Sequence, residues 1–170
     1  MEKALRVINA LESEGLITRY AIGGAIAAAF YMEPVLTYDL DVFVAFPQSG
    51  ESLLPLAPIY AYLQKHGYSA THEHVLIEGT PVQFLPAYNA LLEEALQNAL
   101  EMPYGETLTR VFRLEHLVAI MAQTFRPKDR ARITQILEQT DFNLDQLLEI
   151  LTRHGLVERW NDFQRQLNAG

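Results

Sequence analysis

The pattern of hydrophobic and polar positions predicts helices and short strands in alternation over the first part of the chain. Leucine, alanine and isoleucine recur at helical spacing in residues 2–14, which predicts an amphipathic helix. The apolar segment LITRYAIG predicts a short strand that ends at Gly23 and Gly24. AIAAAFYM then predicts a helix, which Pro34 ends because proline disfavours helical geometry in the preceding residue. YDLDVFVAF contains β-branched and aromatic residues and predicts a second strand.

The rest of the chain predicts a hairpin followed mainly by helices. After a predicted helix at about 51–66, SATHEHVLIE and TPVQFLPA have strand patterns, and the short connection at Glu78-Gly79-Thr80 favours an antiparallel hairpin. NALLEEALQNAL predicts a helix and TLTRVFR a strand, and the pattern from Leu114 onward is helical. The breaks between these last helices fall at Arg126-Pro127, Asp141-Phe142-Asn143 and His154-Gly155.

These elements predict an α/β (α+β) fold in which helices flank a mixed β-sheet and a helical tail follows. The chain has 170 residues, of which 49% are hydrophobic, and this is enough for one ordinary core but short for two. We therefore expect a single compact domain. Residues 1–113 would form its α/β core, and residues 114–170 would form a helical C-terminal region packed on that core.

Composition and charge narrow the classes of partner. Cysteine is absent, which excludes disulfides and thiolate metal sites and fits a cytoplasmic location. Because no run approaches the roughly 20 apolar residues that span a bilayer, we expect no membrane segment. The net charge of −8 argues against general duplex DNA binding. Four of the thirteen lysines and arginines nevertheless lie in RPKDRAR, residues 126–132, and this cluster favours a small anionic partner or a short stretch of polynucleotide.

Two aspartates at the start of the second strand are the first candidates for chemistry. Asp39 and Asp41 share one strand face because side chains alternate, and Phe43 and Ala45 continue that face. An isolated Asp-x-Asp is more often a solvated acidic face, but here the face becomes apolar directly after the second aspartate. Two converging carboxylates raise one another's pKa unless a cation lies between them. Oxygen ligands favour Mg²⁺ or Mn²⁺, so the pair predicts a metal site that faces substrate phosphates.

Gly23 and Gly24 stand where the first strand passes into a helix. Without Cβ atoms the backbone turns sharply and lets a ligand approach its N–H groups, and a helix N-terminus attracts phosphate. The two glycines are therefore candidate phosphate ligands, and the alternative is a tight turn with no ligand. The sequence lacks both the G-x-G-x-x-G fingerprint and the Gly-Lys-Ser/Thr of a P-loop at this junction.

The order of strand, Gly-Gly, helix and Asp-x-Asp strand resembles the nucleotidyltransferase superfamily, to which DNA polymerase β and the kanamycin nucleotidyltransferases belong. GGAIAAAFYM followed by TYDLDVFV is most similar to the AbiEii/AbiGii-like branch, known from toxin components of bacterial toxin–antitoxin and abortive-infection systems. FRPKDRAR is similar to the family's later basic motif. The resemblance covers residues 18–46 well and residues 71–132 loosely. It implies a nucleotidyltransferase-like fold and a possible antitoxin or toxin partner.

The resemblance also implies an activity, which is transfer of a nucleoside monophosphate from an NTP to a hydroxyl group of a protein, an RNA or a small molecule. In the family the two aspartates bind two divalent metals, the Gly-Gly turn and the following helix hold the triphosphate, and a lysine approaches the nucleotide phosphates. The matching positions in this chain are Asp39 and Asp41 for Mg²⁺ or Mn²⁺ and catalysis, Gly23 and Gly24 for the nucleotide, and Lys128 for nucleotide binding and catalysis.

One position departs from the family pattern. The family's third carboxylate lies in the middle of the strand after the hairpin turn, where VQF places Gln83. A neutral amide neither deprotonates the attacking hydroxyl nor completes the metal's ligands well, and Glu78 and Glu73 are the candidate substitutes. Two main functions therefore stay open: a nucleotidyltransferase, and a catalytically impaired nucleotide-binding or interaction module such as a toxin–antitoxin component. A two-metal phosphoesterase is a weaker third, since it has no evident use for the two glycines.

A few other side chains have two interpretations each. Thr37 is either a nucleotide-site residue or a turn-forming residue, and Tyr38 beside it either lines that site or packs in the core. Lys128 contacts phosphate or belongs to a solvated helix start. His72 and His74 are expected to share a strand face, where two imidazoles could bind zinc, but the absence of an evident third ligand favours plain exposed strand residues.

Overall fold

A seven-stranded mixed sheet flanked by helices dominates the computed structural model, which describes residues 1–33, 37, 39–47 and 55–168. Within those residues the strands are β1 (Arg19–Ile22), β2 (Leu40–Ala45), β3 (Ala70–Thr71), β4 (His74–Ile77), β5 (Thr80–Pro86), β6 (Leu100–Tyr104) and β7 (Thr107–Val111). The helices are α1 (Glu2–Ser13), α2 (Gly24–Ala28), α3 (Ala57–Lys65), α4 (Ala90–Gln97), α5 (Leu114–Thr124), α6 (Pro127–Gln139), α7 (Leu144–Arg153) and α8 (Val157–Asn168). The predicted fold class is confirmed.

The order of the strands brings distant parts of the chain to the start of β2. Across the sheet the order is β3-β4-β5-β2-β1-β7-β6. β2 runs parallel to β5 and β1 runs parallel to β7, while the other neighbours are antiparallel. The start of β2 therefore lies beside the end of β1 on one side and the first half of β5 on the other. The Gly-Gly turn, the two aspartates and Gln83 can therefore meet at this end of β2.

Alternating burial explains why β2 is a central strand. Leu40, Val42 and Val44 are at most 1% exposed, whereas Asp41 and Phe43 lie on the opposite face and are half-buried. The apolar positions of α1 are also buried, as their helical spacing predicts. These positions are Ala4, Leu5, Ile8 and Leu11. Helix α1 contacts β4 and β7, and helices α2 and α4 contact β2, so the sheet is packed against helices along most of its width.

Helix α5 joins the C-terminal helices to the rest of the protein. It contacts α2 and α4 as well as α6, α7 and α8, and most of its residues are buried. The predicted helical character from Leu114 onward is confirmed, with breaks between helices at the predicted places. Among the helices of the described residues, none combines the length and the apolarity that a bilayer crossing requires.

Several predicted elements differ in length from the observed ones. The helix after the two glycines is only five residues long, Gly24–Ala28, and turns follow it. The predicted stop at Pro34 lies outside the described residues. The helix predicted at about 51–66 is observed as Ala57–Lys65, and residues 51–54 again lie outside the described part. The hairpin of β4 and β5 is antiparallel and turns at Glu78 and Gly79, as predicted.

Two features of the sheet were not predicted. Strand β6 lies at the sheet edge and contains Pro103, which an edge strand tolerates because its outward backbone groups need no partner. SATHEHVLIE is a bent segment, since β3 and β4 pair antiparallel around a tight turn at His72 and Glu73. His72 has a positive φ of 59° and therefore does not share a strand face with His74. The expectation that these two histidines share one strand face was wrong.

Candidate active site

The Gly-Gly turn packs directly against the aspartate face of β2. The N–H of Gly23 donates a hydrogen bond to the backbone oxygen of Asp41 over 3.0 Å, which extends the β1–β2 ladder into the turn. Gly24 has a φ of +61°, and a Cβ atom at this residue would overlap Asp41 Oδ2 and lie 2.9 Å from Asp41 Cγ. A Cβ atom at Gly23 would in the same way collide with the ring of Phe43. Gly24 is therefore required by the close approach of the turn to the carboxylate, and Gly23 by its close packing against Phe43.

Asp41 is the more enclosed of the two aspartates. Burial raises the pKa of Asp41, the positive charge of Lys128 counteracts this, and the neighbouring carboxylate of Asp39 raises the pKa further. Asp39 is half-exposed, and its Oδ2 lies 3.7 Å from Nε2 of His74. A buried carboxylate whose pKa is raised is incompletely compensated by its surroundings. A divalent cation would supply the missing positive charge, so the donor set fits a metal ion.

A cavity of about 290 Å³ opens on this carboxylate. Asp41 of β2 lines the cavity together with Thr37 and Asp39, which precede this strand in the sequence, and β5 contributes Gln83. Helices α5 and α6 close the other side with both apolar and basic side chains. The apolar residues from α5 are Leu117, Ile120 and Met121, and the basic residues at α6 are Arg126, Lys128 and Arg132. The cavity thus brings acidic ligands for a cation and basic ligands for an anion into one space.

The described residues contain no group of three or more histidine, aspartate or glutamate side chains close enough together to hold a metal ion by themselves. An ion bound at Asp39 and Asp41 would therefore take its other ligands from water and substrate. Mg²⁺ commonly binds in this way, with one or two carboxylates and several oxygen atoms from phosphate and water. The arrangement is suited to an ion that arrives with its substrate.

Gln83 lies directly beside Asp41. The two residues are register partners in the parallel β2–β5 pair, so their side chains point to the same face of the sheet. Nε2 of Gln83 donates a long hydrogen bond of 3.4 Å to Oε2 of Glu73 at the tip of the β3–β4 turn. Glu78 accepts a hydrogen bond from the Tyr68 hydroxyl at 2.8 Å and does not line the cavity. Of the two candidate substitutes, only Glu73 contacts the position that Gln83 occupies.

The basic residues at α6 that line the cavity differ in their contacts within the protein. Arg126 holds the buried Asp129 through Nε at 2.7 Å and through its backbone N–H at 3.1 Å, which caps the start of the helix. Burial opposes ionisation of Asp129, but hydrogen bonds from Arg126 and from the Thr124 hydroxyl lower its pKa below the usual value. Lys128 and Arg132 lie one helical turn apart and both line the cavity. Their shared spacing of four residues was a signal in the sequence, but only Lys128 was singled out.

A second cluster of charged side chains lies outside this cavity. Glu94 of α4 accepts hydrogen bonds from Arg153 at 2.7 Å, His154 at 2.8 Å and the buried His116 at 3.1 Å. The hydrogen bond from Arg153 is the largest cause that lowers the pKa of Glu94 to about 2. Burial in turn lowers the pKa of His116. The cluster ties α4, α5 and the end of α7 together, which is a role in packing.

Comparison with solved structures connects this geometry to a known fold. A crystal structure of an antigenic nucleotidyltransferase-like protein from Paracoccidioides brasiliensis matches with a TM-score of 0.54 and 14% identity, over 99% of this chain and 93% of that one. A solution structure of the antibiotic-resistance factor ANT(2'')-Ia matches with a TM-score of 0.51 and 13% identity, over 98% of this chain and 96% of that one. The chain has a nucleotidyltransferase fold.

A third similar structure is the crystal structure of ANT(2'')-Ia in complex with adenylyl-2''-tobramycin, with a TM-score of 0.52 and 14% identity over 92% of this chain and 98% of that one. No protein-family model matches the chain, and no curated protein sequence matches it either. At these identities the similarity concerns the nucleotidyltransferase fold alone. The roles predicted for Asp39, Asp41 and Lys128 are therefore argued from the local geometry described above.

Proposed function

We propose that this protein is a metal-dependent nucleotidyltransferase that transfers a nucleoside monophosphate from an NTP to a hydroxyl group of a protein, an RNA or a small molecule. The observation that carries the proposal is the contact between the Gly24 backbone and the Asp41 carboxylate, in a cavity that Lys128 also lines. Nucleotidyl transfer needs a turn that accepts phosphate, a carboxylate that binds a metal ion and a positively charged side chain. The candidates for these three groups lie around one cavity.

The residues around the cavity have different proposed roles in the reaction. Asp39 and Asp41 would hold Mg²⁺ or Mn²⁺, which when bound neutralises phosphate charge and orients the polyphosphate. Gly23 and Gly24 let the turn pack closely against Phe43 and Asp41, so that phosphates can bind beside the backbone of the turn. Lys128 neutralises the negative charge that develops during transfer. The hydroxyl oxygen of the acceptor forms a bond to the α-phosphorus as the bond to pyrophosphate breaks, and the hydroxyl proton leaves to solvent or to a nearby base.

Two further side chains are assigned supporting positions in this proposal. Thr37 is half-buried at the cavity wall next to the aspartates, where its hydroxyl can donate to a nucleotide oxygen. Glu73 is the nearest candidate for the base, because Gln83 donates to its carboxylate. The structural neighbour solved with adenylyl-2''-tobramycin supports adenylyl transfer to an acceptor hydroxyl as a reaction that this fold can serve.

Incubation with α-labelled NTPs and a cell extract tests the proposal. We expect a labelled product that requires Mg²⁺ or Mn²⁺ and that Asp39→Asn and Asp41→Asn reduce by at least about a hundredfold, a loss of roughly 2.7 kcal/mol in transition-state stabilisation. Glu12→Gln is a control, because this residue lies on α1 and pairs with Arg110 outside the cavity. Product formation that is unchanged by both aspartate variants would refute the proposal.

A second function is favoured by one observation, the placement of Gln83 beside Asp41. If this amide abolishes catalysis, the protein acts as a nucleotide-binding or interaction module, for example as one member of a cytoplasmic toxin–antitoxin pair of the AbiEii/AbiGii-like branch. Residues 18–46 carry that resemblance. The two functions differ in one result: the module binds NTP with metal but yields no labelled product with any extract, whereas the enzyme does both.

A further inference from the structure

The cavity around Asp41 continues beyond the aspartates along the same face of the sheet. Phe43 follows Asp41 by two residues on β2, and its register partner Leu85 follows Gln83 by two residues on β5, so side-chain alternation keeps all four on one face. Phe43 and Leu85 both line the cavity and are half-buried, and so is Ile120 of α5. The cavity therefore has a charged end at the aspartates and an apolar end, which is formed by Phe43, Leu85 and Ile120.

The polar side chains beside the apolar end are engaged within the protein. Thr124 lies one helical turn after Ile120, and both Thr124 and Asp129 line the cavity. The Thr124 hydroxyl donates to Oδ2 of Asp129 over 2.8 Å, and Nε of Arg126 donates to the same oxygen over 2.7 Å. The apolar end thus presents mainly carbon atoms to a ligand. A surface of this kind suits a flat group of low polarity better than a further phosphate.

Tyr88 is an exposed aromatic residue two positions beyond the end of β5. Its side chain is 74% exposed. The residues on both sides of it are anchored: the N–H of Ala87 donates to the backbone oxygen of Val44 over 3.0 Å, and Asn89 caps α4 and donates from Nδ2 to Oε1 of Gln123 over 3.0 Å. The backbone at Tyr88 is therefore held in place while its ring faces solvent. A tyrosine in this setting offers a flat apolar face at a low cost in conformational entropy.

Arg126 connects Tyr88 to the cavity. Arg126 lines the cavity, and its hydrogen bond to Asp129 is the largest cause that raises its pKa, to which the negative charges of Asp41 and of ionised Tyr88 add. The guanidinium is thus within electrostatic reach of both residues. Along β5, Tyr88 is five positions beyond Gln83, the register partner of Asp41, which corresponds to roughly 16 Å of extended chain. A phosphate held at the aspartates does not reach Tyr88, whereas the base of the same nucleotide, which lies beyond the ribose, can do so.

We propose that Tyr88 stacks on the base of the bound NTP at the apolar end of the cavity, and that this site prefers purines without distinguishing adenine from guanine. The inference rests on the proposed nucleotidyltransferase function and names its class of nucleotide. Stacking uses the flat face that every base has, so it discriminates weakly between bases of equal size, while a purine buries more area than a pyrimidine. Strong selection between adenine and guanine requires polar groups aimed at the base edges, and Thr124 and Asp129 are engaged with each other.

Titration calorimetry on the full chain with Mg²⁺ and each of the four NTPs tests the assignment, with tripolyphosphate as the ligand that lacks a base. We expect ATP and GTP to bind within about threefold of each other and about fivefold more tightly than CTP and UTP. Tyr88→Ala should weaken ATP and GTP binding by about tenfold or more but change tripolyphosphate binding by less than about twofold. Tyr88→Phe keeps the ring and should bind as the wild type does. Leu108→Ala is the matched control, because it truncates a side chain that is 60% exposed on β7 outside the cavity.

The possible outcomes separate this inference from the proposed function. If Tyr88→Ala binds ATP and GTP as tightly as the wild type, or loses tripolyphosphate affinity to the same extent, the assignment of Tyr88 is overturned while the nucleotidyltransferase proposal stands. Pyrimidine NTPs that bind the wild type as tightly as purine NTPs, or a difference above about tenfold between ATP and GTP, overturn the assignment without any variant. Loss of labelled product at unchanged NTP affinity in Tyr88→Ala would place Tyr88 at the acceptor and also overturn it. If the wild type binds no NTP with any divalent metal, the proposed function itself fails, and the inference fails with it.

Discussion

The backbone of Gly24 and the carboxylate of Asp41 are in direct contact, so no side chain larger than hydrogen fits at residue 24. Two causes act together at this residue, the positive φ of 61° and the overlap of a Cβ atom with Asp41 Oδ2. A positive φ alone costs an alanine roughly 1–2 kcal/mol. The overlap adds to this cost, because the neighbouring atoms belong to a carboxylate on a central strand that cannot move freely.

Gly24→Ala is therefore expected to lower the free energy of unfolding by more than about 2 kcal/mol in urea denaturation. Gly15→Ala is the matched control, because Gly15 also has a positive φ, +73°, but a Cβ atom there meets nothing within 4 Å. The excess cost at Gly24 should shrink in an Asp41→Ala background, as a double-mutant cycle would show. Equal losses for the two glycine variants would contradict the contact.

The sequence predicts one half of this site well because its parts are close in the chain. Side-chain alternation alone places Asp39 and Asp41 on one face, and the antiparallel pairing of β1 with β2 brings Gly24 to them. Gln83 comes from a strand about forty residues later, and only the family resemblance predicts its neighbourhood. The register of β2 and β5 then shows how close it is to Asp41.

The basic segment shows what sequence patterns leave undetermined. Helical spacing puts Lys128 and Arg132 on one face, but which face meets the cavity depends on how α6 docks on α5. In the same way, nothing in the side chain of His72 signals the positive φ at which the chain turns. Strand β6 escapes prediction because Pro103 interrupts its pattern and its pairing is with one neighbour only.

Burial of Asp41 predicts a stability cost that appears when the metal is absent. The pKa of Asp41 is raised above the ordinary value of 3.8, so the folded protein holds the proton more tightly than the unfolded chain does. The ionised carboxylate therefore destabilises the fold at neutral pH, and this cost disappears as the pH falls towards 3.8. In EDTA, we expect Asp41→Asn to unfold about 2–4 °C above the wild type at pH 7 for each ~1 kcal/mol removed.

The control for this experiment is Asp39→Asn, which removes a half-exposed carboxylate and should change the melting temperature less. The difference in melting temperature between Asp41→Asn and the wild type should become smaller near pH 4, where the wild-type carboxylate is partly protonated. It should also narrow at pH 7 with millimolar Mg²⁺, which stabilises only the wild type. A variant that is no more stable than the wild type in EDTA at pH 7 contradicts this account of Asp41.

Gln83→Glu should add a third carboxylate to the site, beside Asp39 and Asp41. The new charge lies beside Asp41 and close to Glu73, so without metal we expect the variant to melt several degrees below the wild type because like charges repel. Mn²⁺ should then raise its melting temperature by more than it raises that of the wild type, and labelled-product formation should increase by about tenfold or more. Gln97→Glu, an exposed change on α4, is the control. A metal response equal to that of the wild type argues against Gln83 as the third ligand position.

The Glu94 cluster predicts a pH dependence in acid. Its hydrogen-bonded carboxylate has a pKa of about 2, below its ordinary 4.5, so its contribution to stability is complete above 4.5 and is lost as the pH falls towards 2. Glu94→Gln should lower the free energy of unfolding at pH 7 by about 1–3 kcal/mol, because the amide loses the negative charge and keeps only one acceptor oxygen for Arg153, His154 and His116. The substitution should also make the free energy of unfolding less dependent on pH below 4.5. The neighbouring Glu93→Gln is the control, and an unchanged slope in Glu94→Gln would count against this role.

The central claim is that one cavity binds a divalent cation and a nucleotide through Asp39 and Asp41. Thermal unfolding of the wild type, Asp39→Asn and Asp41→Asn with Mg²⁺, with each NTP, and with both together tests it most directly. The account predicts that at least one NTP raises the wild-type melting temperature only when Mg²⁺ is present, that the shift grows with the logarithm of the NTP concentration above Kd, and that both variants lose most of this shift. A wild type that no combination stabilises, or variants that respond as fully as the wild type, would contradict it.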